Sequence, residues 1–215
     1  MSMTNVCILT GLQFPLTGAV RNVITGGKER RLTDMEQIGA GFIGGVISGV
    51  VCAPMELVMI QQQRFGTSML ATPGQIVAEA GGTGLFRGLL MSCGREGVFT
   101  AGMLGLGPTL KRYASEKCGC SQTTASIASA VGGGVIVATI SHPMDTIKTC
   151  MQGDVSGKVY GSVVHTAKTL MSEGSIRRFF RGCTWRTGRM IIETFLFMEC
   201  QARLSPIFFP HHFQD

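Results

Sequence analysis

Two stretches decide the fold: APMELVMIQQQ at residues 53–63 and HPMDTIKTCMQ at residues 142–152. Laid on one another, they pair Pro54 with Pro143, Glu56 with Asp145 and Gln63 with Gln152. The likeness continues downstream. GLFRG at 84–88 matches RFFRG at 178–182, and GRE at 94–96 stands at the same offset from its Arg-Gly pair as GRM at 188–190. A period of roughly ninety residues marks a repeat architecture, in which one supersecondary unit cannot bury its apolar face alone and stacks on its neighbour. Each unit reads as a helix carrying a Pro-acid motif, a short amphipathic helix, an aromatic-Arg-Gly turn and a second helix. The segment before Gly26 reads as the tail of a further unit.

Outward from these motifs, the long helical segments are Asn5 to Val23, Met35 to Phe65, Met91 to Lys117, Gln122 to Gln152 and Thr184 to Arg203. Shorter amphipathic stretches, Pro73 to Ala80 and Ser162 to Ser172, lie between them. Polar residues interrupt every long segment, as in helices that face lipid on one side and an aqueous cavity on the other. Charged residues make up only 15% of the chain, against about 25% in an average soluble domain, and the mean hydropathy is +0.28. Gly41, Gly45 and Gly49 recur at four-residue spacing, a small-residue stripe that lets another helix approach closely. These features predict an all-α membrane protein.

Charge and chemistry narrow the function. The net charge of +6 is dispersed along the chain rather than massed in a basic run, so membrane lipid and anionic solutes are the expected partners and nucleic acid is not. Most of the cysteines sit in apolar stretches or at helix ends, and Cys118-Gly119-Cys120 is too tight for a zinc pair, so free thiols are expected. His142, His165, His211 and His212 are scattered, which predicts no metal site. With no Ser-His-Asp, Walker or dinucleotide motif, neither a cofactor nor enzymatic catalysis is expected.

The pattern P-x-[D/E]-x-x-[K/R] followed by Gln, an acidic residue, a Gly-bearing turn and aromatic-[K/R]-G resembles the signature of the mitochondrial carrier family. The resemblance covers residues 5 to 203, with two copies in register. It implies three pseudo-symmetric repeats forming a six-helix barrel around a central cavity, in a multi-pass protein of the mitochondrial inner membrane. For this chain the expected fold is a mitochondrial-carrier-like helical barrel with five of the six transmembrane helices plus short matrix-side helices. Residues 1–26 would be the second helix of an incomplete first repeat, 27–117 the second repeat and 118–215 the third. The implied function is exchange of a small-molecule solute by a monomer.

Site expectations follow motif by motif. Pro lacks an N–H and crowds the preceding turn, so Pro54 and Pro143 should bend their helices inward. By resemblance, Glu56 would then pair with Lys148 of the next repeat in a matrix-side gate that also includes Asp145, braced by Gln63 and Gln152. Met59 departs from the pattern by standing at a Lys or Arg position, and the partner of Asp145 would lie on the absent first helix. A second interpretation of Glu56, Asp145 and Lys148 is that they are solvated helix-end charges. Arg95 and Glu96 fall on the solute-contact position, where Arg followed by an acid is similar to the amino-acid-transporting branch. A guanidinium can hold a carboxylate through a fork, and Glu96 can hold an ammonium. Adjacent helix positions point about 100° apart, so Arg95 and Glu96 are expected to find other partners than each other.

Arg189 takes the matching contact position of the last helix, with Arg186 and Glu193 on its face; Asn5 takes it on the first. For Arg186 and Glu193, an ion pair that only holds helices together is the alternative. At the turns Arg87-Gly88 and Arg181-Gly182, backbone amides and the helix dipole make an anion site. In the family, these turns resemble cardiolipin-binding positions; interfacial anchoring of the helix end is the other reading. On the opposite side, Gly18 and Pro108 replace the acids of the second gate motif, while Arg21 and Lys111 keep its basic places. The expected solute is an amino acid or related zwitterion. The alternatives are a tricarboxylate or keto acid, or a truncated, non-transporting membrane protein of the same fold.

Overall fold

The structure is a computed structural model that describes residues 2–27, 30, 32–68, 70–119 and 121–208; side chains are described from residue 11 onward, except at 197, 201, 202 and 204–208. The described residues are helical, without a strand: α1 Ser2–Thr25, α2 Asp34–Phe65, α3 Ala71–Ala80, α4 Leu89–Ala101, α5 Gly107–Cys118, α6 Gln122–Gly153, α7 Val163–Phe179 and α8 Cys183–Phe208. The helix ends follow local sequence. Thr33 and Glu36 form a capping box at the start of α2, and Gly66 ends it in the left-handed conformation. Ser121 and Ser162 cap α6 and α7 by accepting the amides of Thr124 and His165.

Two features refine the sequence expectation. The segment expected as one helix from Met91 to Lys117 is divided by a π-helical turn, Gly102–Leu106, where the amide of Gly107 donates to the carbonyl of Gly102. The widened turn leaves the Leu104 carbonyl free to accept Gln37 Nε2 at 3.0 Å. In α7, regular geometry breaks at Gly174 and Ser175, the latter at φ 58°, so the short amphipathic helix stops near its expected end and a second turn follows.

The long helices pack side by side: α1 on α2, α2 on α4, α4 and α5 on α6, and α6 on α8. Contact between α2 and α4 is close because the glycine stripe faces α4. A Cβ at Gly45 would stand 2.4 Å from the Glu96 carbonyl oxygen, and one at Gly49 would stand 2.9 Å from Cys93 Cα. Under this row, α3 is held to α2 by Leu57, Val58, Ile76 and Val155, and α7 to α6 by Ile147, Met151 and Leu170. Pro54 and Pro143 lie within α2 and α6, which run through them.

The burial pattern is inverted relative to a water-soluble core. On α2, Phe42, Ile43, Ile47, Val50 and Val51 are exposed, while Ser48 and Glu56 are buried. On α6, Ile127, Val131, Val135, Ile136 and Ile140 are exposed, while Ser126, Ser129, Ser141 and Lys148 are buried. Contiguous exposed apolar faces of this size call for a non-aqueous neighbour, and small or polar residues between helices are the packing of membrane bundles. Both α2 and α6 are long and apolar enough to cross a membrane, with mean hydropathy of 2.0 and 1.6 over their most apolar windows.

Candidate functional site

Charged side chains of α2, α4, α6 and α8 form one connected network, buried except at Asp145, whose side chain is 32% exposed. Lys148 Nζ donates to Glu56 Oε2 at 2.6 Å, joining α6 to α2. The guanidinium of Arg95 meets both Glu56 and Glu96, and its Nε lies 3.4 Å from Asp145 Oδ1. Arg186 of α8 closes the chain of contacts, pairing with Asp145 and donating to Ser141 Oγ at 2.9 Å. Glu96 is fully buried, Lys148 and Glu56 nearly so, and the Arg95 side chain is 12% exposed. Three carboxylates thus face three cations.

Burying an isolated charge costs several kcal/mol even after relaxation, so such groups persist only when paired and hydrogen-bonded. Neutrality within the cluster is therefore the condition for its burial. Glutamines complete the wiring. Gln152 is buried and donates to the Arg87 carbonyl at 3.3 Å and to Ser92 Oγ at 3.5 Å. Gln61 donates to the backbone carbonyls of Gln152 and Gly153, locking the ends of α2 and α6 together.

Several sequence expectations are corrected here. Arg95 and Glu96 do pair with each other: their Cβ directions diverge, but the long arginine stem doubles back to the neighbouring carboxylate. Within the described residues, Asp145 pairs with Arg186, with Arg95 beside it. Gln63 is exposed, and Gln61 makes the cross-repeat contact in its stead, since two positions along a helix rotate a side chain by about 200°. The expected stripe of Arg186, Arg189 and Glu193 splits. Arg186 is buried toward Asp145, while Arg189 and Glu193 form an exposed i,i+4 pair at 3.7 Å. Rotation alone does not separate them, since Glu193 lies within about 20° of Arg186 around the helix; at 1.5 Å per residue, Arg189 and Glu193 stand about 4.5 and 10.5 Å further along α8. The side chain of Asn5 lies outside the described residues.

At the two Arg-Gly turns, Gly88 and Gly182 adopt φ of 77° and 84°, the left-handed region that favours glycine. The Arg87 guanidinium is committed to protein: it donates to the carbonyls of Met151 at 2.9 Å and Gly161 at 3.2 Å, and also to Tyr160. Arg181 is exposed, and its carbonyl accepts His142 Nε2 at 3.3 Å. Beside Arg87 and Gly88 lies an open hollow of about 390 Å³, lined also by Thr83, Met151 and Ser156.

The loop after α6 is held by Asp154, whose Oδ2 accepts the amides of Val159 and Tyr160 at 2.8 Å each. Burial alone would push this carboxyl up. The two amides and the Ser156 hydroxyl outweigh that and hold it below the ordinary carboxylate range. Sequence reasoning missed Gln61, Ser141 and, above all, Gln13 of α1, whose Nε2 donates to Glu96 Oε2 at 2.9 Å. A lone glutamine in the apolar stretch of α1 and the three successive glutamines of α2 were the available signal, but their facing directions were not.

Comparison with known proteins matches this architecture. The model of the family described as mitochondrial carrier protein matches residues 30–117 and 121–210. Mitochondrial uncoupling protein 1 of Arabidopsis thaliana is 26% identical over 198 residues, covering 86% of this chain and 63% of that protein. The tricarboxylate transport protein of Saccharomyces cerevisiae is 23% identical over 200 residues, covering 85% and 67%. A mitochondrial glycine transporter of Emericella nidulans is 25% identical over 173 residues, covering 77% and 52%. The chain spans about three fifths of the length of curated relatives such as the Arabidopsis protein. With two family matches in tandem over most of its length, and with the paired Pro-acid helices joined by a buried ionic cluster, this chain belongs to the mitochondrial carrier protein family.

Proposed function

We propose that the protein exchanges an amino acid or related zwitterion across the mitochondrial inner membrane, with Arg95 and Glu96 as the solute-binding pair. One observation carries the reading: the buried cluster contains three acids and three bases and has no surplus charge. A net-neutral solute with one carboxylate and one ammonium can enter such a cluster without leaving a buried charge unmatched. A tricarboxylate would require surplus cations, and Arg189, the remaining arginine of the contact positions, is paired with Glu193.

Arg95 also couples binding to gating in this reading. Its guanidinium is shared by Glu96, Glu56 and Asp145. A solute carboxylate that takes the guanidinium fork draws Arg95 away from Glu56 and Asp145, while the solute ammonium goes to Glu96. The gate then keeps only Glu56 with Lys148 and Asp145 with Arg186. Binding energy thereby offsets part of the cost of opening, as alternating access requires. The second reading, a tricarboxylate or keto acid, draws on the name of the yeast relative.

The membrane topology proposed is five crossing helices, formed by α1, α2, the α4–α5 rod, α6 and α8, with α3 and α7 on the matrix side. Two repeats, 27–117 and 118–215, organise this arrangement. At the turns Arg87-Gly88 and Arg181-Gly182, where the amides of Arg87 and Arg181 are donated within the turn, the amides at the start of the helix that follows are proposed to receive cardiolipin phosphate. The hollow beside Gly88 offers the room, and the Arg87 side chain acts as a brace rather than a lipid ligand.

Reconstitution in liposomes with a panel of ornithine, carnitine, oxoglutarate and citrate tests the solute. Exchange of ornithine or carnitine that Arg95→Ala abolishes is the expected result. Uptake of citrate or oxoglutarate alone would establish the second reading, and uptake indifferent to Arg95→Ala would remove Arg95 from the site.

A further inference from the structure

The fully buried carboxylate of Glu96 has one oxygen on Arg95, its neighbour in the chain, and the other on Gln13, a residue 83 positions away on α1. Gln13 is itself 1% exposed. A buried primary amide is costly unless its hydrogen bonds are made, so a glutamine at this position is tied to the acid it faces. The approach is built by two consecutive glycines on α2. A Cβ at Gly44 would stand 2.5 Å from Thr17 Oγ1 and 2.9 Å from Thr17 Cα, on α1. A Cβ at Gly45 would stand 2.4 Å from the Glu96 carbonyl oxygen, on α4. With side chains missing on both flanks, α1 and α4 each press against α2, and Gln13 spans the remaining gap.

We infer that Gln13 is a positioning residue of the solute site: it holds Glu96 spread between α1 and α4, with one oxygen on Gln13, so that the carboxylate is not wholly given over to Arg95 when an amine-bearing solute reaches it. Without the Gln13 amide, Glu96 is free to turn both oxygens onto Arg95, and its acceptor capacity toward a solute ammonium falls. The inference rests on the proposed role of Glu96 as the ammonium-binding residue.

The test uses the whole chain in liposomes, with ornithine as the amine-bearing probe and oxoglutarate as the probe without an amine. Gln13→Leu should raise the KM for ornithine roughly tenfold, the equivalent of one lost hydrogen bond to a charged group, with kcat unchanged. Oxoglutarate uptake, if present, should not respond. If Glu96→Gln leaves ornithine handling intact, the solute reading fails. If Glu96→Gln alters it and Gln13→Leu does not, the solute reading stands and the role of Gln13 is overturned.

A thermal unfolding measurement in detergent judges the contact without transport. Gln13→Glu and Glu96→Gln should each lower the midpoint by a few degrees. The reciprocal swap Gln13→Glu/Glu96→Gln restores one amide facing one carboxylate but not the ion pair with Arg95, and should lose less than the sum of the two single variants. Additive losses in the double variant would overturn the contact even where neither solute is exchanged.

Discussion

The two ends of the helix row hold similar charged residues in opposite settings. At one end, Glu56, Glu96, Arg95, Lys148 and Arg186 form a single cluster across α2, α4, α6 and α8 with side chains at most 12% exposed, and Asp145 joins it at the partly exposed edge. At the other, Arg112 with Asp34 at 2.6 Å and Arg30 with Glu36 at 2.6 Å are separate pairs in which every side chain is at least 30% exposed. Exposed pairs contribute about 0–1 kcal/mol each, whereas removing one member of a buried pair costs about 3–5 kcal/mol. Charge count does not decide how tightly an end is held; desolvation does.

The comparison breaks most directly at Glu56, which holds both Lys148 and Arg95. Glu56→Ala should destabilise the protein by about 3–5 kcal/mol, read as the unfolding midpoint in detergent. A wild-type midpoint would show that the cluster does not hold this end more tightly. Next in size is Gly45→Ala, whose methyl would meet the Glu96 carbonyl oxygen. It should cost about 1–3 kcal/mol through forced separation of α2 and α4; a neutral result would mean that the two helices do not meet at this position.

A pH series separates the ends further. Because the folded value for Asp154 lies below the ordinary carboxylate range, its contribution to the loop beneath α6 is present in full at and above neutral pH. It is lost as pH falls through that depressed value. Protease nicking between residues 155 and 161 should therefore rise on acidification in the native chain. Asp154→Asn should show raised cleavage already at neutral pH and a flat profile, and an unchanged acid-dependent profile would count against Asp154 as the clasp. The smallest effect is expected for Arg112→Ala, under about 1 kcal/mol and weaker still in high salt. A loss comparable to that of Glu56→Ala would erase the contrast between the ends.

The pairing of Glu56 with Lys148 was what the family resemblance implied; the repeat and the helix order were legible because they depend on spacing along the chain, which helical geometry converts into position. The glycine stripe was legible for the same reason. Less so were Gln13, Gln61 and Arg186. Each acts through a partner more than forty residues distant, and which of three successive glutamines or two nearby arginines turns inward depends on small helix rotations. The π-helical turn in the α4–α5 rod likewise follows from packing, since its glycines stand against Ile38, Val137 and Met198 on three different helices.

By itself, the chain of residues determined that paired Pro-acid helices recur, that their outer faces are apolar and that few charges lie within them, because local periodicity and composition are properties of consecutive residues. Only the tertiary structure decided how those charges are shared. Arg95 became a bridge between Glu96 and Glu56, Arg186 took Asp145, and Arg189 was left at the surface. The reason is electrostatic: a buried cluster must be neutral as a whole, and that condition is met only by the full set of helices that meet there.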